Sequence, residues 1–204
     1  ADPASLTFTP TPQNWGTVAR GSTKTAIITL ENVGGVDATS AAPGSALASP
    51  YDYTGGLGYP GTLGTCGATI LPGAGNTCTI EVMYQPPANG PTSDDVDISY
   101  DDGTGVTQTD SVTLQGTAAD PALLVVTDAE PYDFGPHPLA STTTYAFTVE
   151  NQGGVTASGI TGLAFGAAHF DHNGAAFPGG GSCVSGGNLI AGNSCTFRVD
   201  FTPG

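Results

Sequence analysis

Four groups of residues in this chain have the types and spacing that could do chemistry. Cys66 and Cys78 are separated by eleven residues, and so are Cys183 and Cys195. His169, Asp171 and His172 bring two imidazoles and a carboxylate within four positions, the donor set of a transition-metal site. Asp94, Asp95, Asp97, Asp101 and Asp102 form the densest acidic stretch, and calcium takes several carboxylate oxygens that converge on one loop. Tyr51, Tyr53 and Tyr59, with Phe170 and Phe177, place aromatic rings in glycine-rich loops, where sugar-binding modules stack rings on a ligand.

What positions these residues is a long internal repeat. Trp15-Gly16 and Leu30-Glu31-Asn32-Val33-Gly34-Gly35-Val36 return as Phe134-Gly135 and Val149-Glu150-Asn151-Gln152-Gly153-Gly154-Val155. Ala1-Asp2-Pro3-Ala4 returns as Ala119-Asp120-Pro121-Ala122, and Tyr51-Asp52-Tyr53 aligns with Phe170-Asp171-His172. A repeat of this length is a whole small domain rather than a solenoid unit. Two domains are therefore expected, residues 1–118 and 119–204. Phe201-Thr202-Pro203 matches Tyr84-Gln85-Pro86, after which the first copy continues through Asp94–Tyr100 and Val106–Gln115. The second copy is thus expected to lack its last two strands.

The repeat also weighs each chemistry. Four cysteines allow three connectivities, and the duplication selects Cys66–Cys78 and Cys183–Cys195, because each domain then closes its own bridge in an oxidising compartment. Two thiols per copy do not fill a tetrahedral zinc site. His172 aligns with Tyr53 and Asp171 with Asp52, which assigns them to a shared loop, and strand residues three apart point to opposite faces. No metal is expected there. The aspartates lack EF-hand spacing and read as a solvated edge that discourages sheet pairing, with calcium kept as the candidate ion. The aromatic residues match across copies as core residues do, so packing is favoured over ligand contact. His137 lies between two prolines and no serine occupies a G-x-S-x-G elbow, so no enzyme is expected.

Composition narrows the partners. Arg20, Lys24 and Arg198 are the only strong cations against eighteen acids, a net charge of −15. Such a chain repels phosphate backbones and anionic headgroups, which disfavours nucleic-acid and peripheral-membrane roles. No apolar run reaches membrane-spanning length, and residues 1–5 are not a signal-peptide core. Alternation of period two marks Ala26, Ile28 and Leu30, then Ile80, Val82 and Tyr84, then Val96, Ile98 and Tyr100, then Val112 and Leu114. The second copy matches the first two sets with Tyr145, Phe147 and Val149, and with Phe197, Val199 and Phe201. Glu81, Arg198 and Asp200 alternate with these and are expected on a wet face. Asp102-Gly103 reads as a hairpin turn. The pattern predicts an all-β chain of two tandem immunoglobulin-like β-sandwiches, with about seven short strands in the first.

Trp15-Gly16-Thr17-Val18 through Gly21, with Leu30-Glu31-Asn32-Val33-Gly34, resembles the opening motif of Hydin-like, choice-of-anchor-D repeats. Cys66 to Pro72-Gly73, Cys78 through Tyr84-Gln85-Pro86, and Leu114-Gln115-Gly116 are similar to later motifs of that family. Copy two departs where its final strands are missing and where Ala140 replaces the glycine equivalent to Gly21. The resemblance implies immunoglobulin-type domains of bacterial surface and secreted proteins, with no catalytic residues and no single ligand. Two functions are carried forward. One is a structural or adhesive repeat of an extracellular stalk or filament, its partners being neighbouring repeats or subunits or a host or matrix molecule; a fragment boundary or trimming explains the missing strands of repeat 2 most simply, and a strand donated by a neighbouring subunit is the variant. The other is a carbohydrate- or calcium-binding accessory module of a larger secreted protein.

Overall fold

Alternating apolar and polar residues, punctuated by glycine and proline, form strands joined by turns. The computed structural model describes residues 1–174 and 176–204. The chain divides into two compact units, Ala1–Ala119 and Asp120–Gly204.

The first unit runs β1 (Leu6–Thr9), β2 (Gln13–Ala19), β3 (Lys24–Asn32), β4 (Ala38–Pro43), β5 (Tyr51–Tyr53), β6 (Thr69–Ile70), β7 (Thr77–Tyr84), β8 (Gly90–Asp101) and β9 (Thr107–Ala119). One sheet has the order β1-β3-β7-β5 and the other β2-β9-β8-β4-β6. Pairing is antiparallel except between β2 and β9, which run parallel. The edge segment is therefore split: β1 joins one sheet, the chain crosses at Pro10 and Pro12, and β2 joins the other. This is an immunoglobulin-like sandwich. Ile28, Leu30, Ile80, Val82 and Tyr84 of one sheet meet Val96, Ile98, Val112 and Leu114 of the other, all at most 1% exposed. Burying each such side chain stabilises the fold by roughly 2 kcal/mol.

Three details differ from the sequence reading. The strands β5 and β6, three and two residues long, are too short to show a period. The β8–β9 hairpin closes through residues 102–106 rather than a two-residue turn: Gly103 donates to Asp101 Oδ1 (2.8 Å) and Thr104 to Asp102 Oδ1 (2.9 Å). Glu81 is buried, not wet, because the loop after β5 folds over it and Leu63 N–H donates to its Oε2 (2.9 Å).

The second unit contains, among the described residues, β10 (Leu124–Val126), β11 (Thr143–Asn151), β12 (Ala157–Ile160), β13 (Phe170–His172), β14 (Gly187–Leu189) and β15 (Ser194–Phe201). Its sheet β10-β11-β15-β13 reproduces β1-β3-β7-β5, and the pair β12-β14 reproduces β4-β6. Among the described residues nothing corresponds to β8 and β9, so the second sandwich lacks its last two strands. The result is visible in burial. Phe147, Val149, Phe197 and Phe201 are only half-buried where Ile28, Leu30, Ile80 and Tyr84 are covered. Leu124 and Val126 are 42% and 48% exposed where Leu6 and Phe8 are 5% and 7%.

The repeated Asn-x-Gly motif has one physical cause in both units. Asn32 is fully buried; its Nδ2 donates to Val36 O (2.8 Å) and Ile70 O (3.0 Å), and its Oδ1 accepts from Gly34 N (3.0 Å) and Ser5 N (3.2 Å). Asn151 makes the same four bonds, to Val155 O, Leu189 O, Gly153 N and Leu123 N, at 2.9–3.1 Å. A Cβ on Gly34 would lie 2.2 Å from Pro3 O, and one on Gly153 would lie 2.2 Å from Pro121 O. Asparagine and glycine together clamp the segment that feeds the first strand of each unit.

Candidate functional site

Most of the chemistry-bearing residues are consumed by the fold. The cysteines form Cys66–Cys78 and Cys183–Cys195, with Cα–Cα distances of 4.8 and 4.9 Å. Each bridge fastens the loop after β5 or β13 beside β7 or β15. There Thr65 and Cys66 N–H both donate to Thr79 O (2.8 and 3.2 Å), and Cys183 N–H donates to Thr196 O (2.9 Å).

The acidic stretch does not converge on one point. Asp94 Oδ2 accepts from Ala48 N (2.7 Å), and Asp97 Oδ2 accepts from Ser45 Oγ (2.8 Å). Asp95 is exposed, while Asp101 caps its own loop. Asp102 is buried rather than solvated. The Thr104 hydroxyl (2.6 Å) and Thr104 N–H (2.9 Å) donate to its Oδ1, and Gln108 Nε2 donates to Oδ2 (3.2 Å). These bonds, the Thr104 hydroxyl foremost, hold its carboxyl below the usual carboxylate range. Among the described residues no group of three or more His, Cys, Asp or Glu is placed to hold a metal. His172 is buried with Nε2 3.2 Å from Leu163 O, whereas His169 is exposed with Nδ1 3.2 Å from Thr202 O.

Tyr51 and Tyr53 are core residues rather than a loop platform, at 2% and 4% exposure, and Tyr59 packs against the same core. Tyr51 OH donates to Thr92 O (2.7 Å), and Tyr53 meets Tyr59 edge-on at 6.1 Å. Burial pushes the Tyr53 and Tyr59 phenols up to about 12. A raised pKa contributes stability that is whole below the ordinary value of 10 and lost as pH climbs towards 12. Alkaline unfolding of the first unit is therefore expected to shift to higher pH in the Tyr53→Phe, Tyr59→Phe double variant. An unchanged alkaline midpoint, followed by tyrosinate absorbance, would contradict this.

Trp15, Tyr51 and Tyr84 form a three-ring stack with centroids 5.1–5.8 Å apart. The second unit rebuilds it from Phe134, Phe170 and Phe201 at 5.0–5.8 Å. Phe177 packs on His172 (5.6 Å) and Phe197 (6.1 Å). Phe170 and Phe177 thus serve the core of their unit, but that core is open on one side. A groove of about 670 Å³ is lined by Leu124, Val126, Tyr132, Phe134, Phe147 and Phe197, among others. It lies on the face that Val96, Ile98, Tyr100, Val112 and Leu114 cover in the first unit.

The segment that carries Tyr132 and Phe134 keeps the local turns of its counterpart in the first unit. Gly16 N donates to Asn14 Oδ1 (2.7 Å) with Gly16 at φ +64°; Gly135 N donates to Asp133 Oδ1 (2.7 Å) with Gly135 at φ +73°. Gly21 N and Ala140 N donate to Pro86 O and Pro203 O, both at 2.8 Å. Ala140 keeps the left-handed backbone of Gly21, φ 57° against 80°. An alanine there costs about 1 kcal/mol, and the second unit holds the shape despite that cost. The repeat pointed to this open side, through the strands that the second copy lacks, but not to the residues that line it.

No protein-family model and no curated protein matches this chain. Among solved structures it is similar to a protein of unknown function from Porphyromonas gingivalis W83, at 11% identity over 97% of this chain and 83% of that one, TM-score 0.41. It is also similar to the ASH/PapD-like domain 7 of human CEP192, at 14% identity over 58% of this chain and 88% of that one, TM-score 0.40. A third is the secreted serine protease VesC from Vibrio cholerae, at 12% identity over 97% of this chain and 46% of that one, TM-score 0.40. The immunoglobulin-like assignment rests on the strand order and pairing described above.

Proposed function

We propose that this chain is a non-catalytic structural repeat of an extracellular assembly, a stalk or filament of a bacterial surface protein, in which a strand pair equivalent to β8 and β9 covers the open face of the second unit. The observation that carries this reading is the open apolar face of the second unit beside a first unit in which the same face is covered. Leu124, Val126, Phe147 and Phe197 each stand to gain roughly 1 kcal/mol from being covered fully, a driving force that favours an occupant over exposure to water. The two disulfides support an oxidising compartment. Among the described residues no helix is long and apolar enough to cross a membrane. The resemblance to choice-of-anchor-D repeats supports the same surface setting.

Hydrogen exchange tests the reading. In the isolated 204-residue polypeptide the amides of β11 and β15 are expected to be protected but to exchange faster than those of β3 and β7, and in the native surface assembly to exchange more slowly. Equal exchange in the two states would overturn it.

One observation favours a ligand-binding accessory module as the second reading. The Tyr53 and Tyr59 hydroxyls are buried with no hydrogen-bond partner among the described residues, beside a cleft of about 370 Å³ that Asp52 also lines. Glycan-array binding lost in Tyr59→Phe would support that function in place of the first.

A further inference from the structure

We infer that the Asp120–Pro121 peptide bond, and with it Asp2–Pro3, is a site of self-cleavage in mild acid, at which the aspartate carboxyl attacks its own main-chain carbonyl while a glycine N–H holds the carbonyl oxygen. The inference goes beyond the structural role above and does not depend on what covers the second unit.

Of the sixteen prolines only Pro3 and Pro121 follow an aspartate, and they hold the same position in each repeat. An Asp–Pro bond is suited to this reaction on two counts. The side-chain carboxyl closes a five-membered ring on its own main-chain carbonyl carbon, an intramolecular attack with no partner to bring in. The proline nitrogen is that of a tertiary amide, more basic than an ordinary peptide nitrogen, and it leaves as a secondary amine. In the step a C–O bond forms from a side-chain oxygen to the carbonyl carbon and the C–N bond to proline breaks. The carboxyl proton goes to the proline nitrogen. Water then opens the cyclic anhydride and leaves aspartate as a new C-terminus, so that one water is consumed and no other reactant. Glu130–Pro131 would need a six-membered ring and serves as the internal control.

The fold holds both bonds in the same way. Gly154 N–H donates to Asp120 O (2.9 Å), and Gly35 N–H donates to Asp2 O (3.0 Å). The oxygen that gains negative charge as the carboxyl adds is therefore already met by a donor. The chain beyond each bond is fixed as well. Pro121 O lies so close to Gly153 that a Cβ there would be 2.2 Å away, and Leu123 N donates to Asn151 Oδ1 (3.1 Å). Pro3 O stands in the same relation to Gly34, and Ser5 N to Asn32 Oδ1. The paired glycines thus have separate tasks: the first makes room for the strap, and the N–H of the second grips the scissile carbonyl. Asp2, Pro3, Asp120 and Pro121 are all exposed, so water reaches the anhydride. β9 ends at Ala119 and β10 begins at Leu124, so a cut after Asp120 removes no strand from either unit. An array of such repeats would come apart in acid into whole units.

The test holds the full chain at about pH 4, where an ordinary aspartate is half protonated, and follows its fold by circular dichroism and its products by mass spectrometry. Cleavage is expected after Asp120 and after Asp2, with Glu130–Pro131 intact. Removing one donor to a developing oxyanion slows an enzyme by about 10²–10³-fold, but this donor also binds the ground-state carbonyl. The folded chain is therefore expected to cleave at least about tenfold faster than the same chain in denaturant at the same pH. Asp120→Asn should spare its own bond while Asp2–Pro3 is still cut. Gly154→Pro removes the N–H and should bring cleavage after Asp120 down to the denatured rate, with cleavage after Asp2 unchanged. Should that variant unfold the second unit, Gly35→Pro in the first unit asks the same question of Asp2–Pro3. A folded chain that cleaves no faster than the denatured one would overturn the inference, leaving only the acid lability of the two residues. Glycine-to-proline variants that fold and still cleave at the parent rate would remove the N–H from the reaction and overturn it equally.

Discussion

Replacing Asn32 with alanine is expected to destabilise the first unit by about 3 kcal/mol or more, since it strands several buried backbone groups at about 1–3 kcal/mol each. For a domain of this size that lowers the melting midpoint by roughly 10–25 °C. Four partners lose their bond at once: Val36 O, Ile70 O, Gly34 N and Ser5 N. Asn32→Asp should be as harmful, because a carboxylate keeps the acceptor but turns two donor positions into contacts with carbonyl oxygens. Asn151→Ala is expected to act on the second unit in the same way. Calorimetry of the N32A chain decides the matter: a first-unit transition within about 2 °C of the parent's would remove the clamp from this account.

Reduction of the disulfides is expected to unfold the second unit before the first. Each bridge closes a loop of twelve residues and contributes about 3 kcal/mol in the chain-entropy view. The first unit retains a two-sheet core without its bridge. The buried cluster of the second unit consists of Ala157, Leu189 and the two cysteines themselves, with Val149, Ile160 and Phe177 half-buried around it. A loss of that size exceeds what so small a core replaces. Hydrogen exchange in dithiothreitol should show β11 and β15 losing protection while β3 and β7 keep theirs. Protection of β15 that survives reduction unchanged would contradict the expectation.

Much of the fold was legible because burial imposes a period. Ile28 and Leu30, and Val96 and Ile98, alternate with exposed or half-exposed neighbours such as Ile27 and Asp95, and all four are buried, as are Ile80 and Val82 on either side of the buried Glu81. The missing strands of the second unit were legible from the repeat alone. Other features have no local signature. The crossing between β1 and β2 depends on which sheet offers a partner, and only the parallel register with β9 reveals it. Glu81 and Arg198 occupy the same place in their repeats, yet Glu81 is buried under the loop after β5 while Arg198 is exposed. The tyrosines of the glycine-rich loop were legible as packing residues from their match across the copies, but the strand that carries Tyr51 and Tyr53 was not, because the three residues of β5 are too few to show a period. Asn32 and Asn151 stood out as repeated letters, but a polar residue at the end of an apolar strand gives no hint of four partners.

The parallel pairing of β2 with β9 has a mechanical consequence. A pull that enters through β1 and leaves through the end of β9 drags these two strands past each other along their length. Their cross-strand bonds, from Gln13–Leu114 to Ala19–Ala119, then stretch together rather than open one after another. The first unit is built to resist tension in shear. The second has the matching rail at residues 132–138 but no sliding partner for it among the described residues, so it becomes a tension member only when a strand is laid alongside.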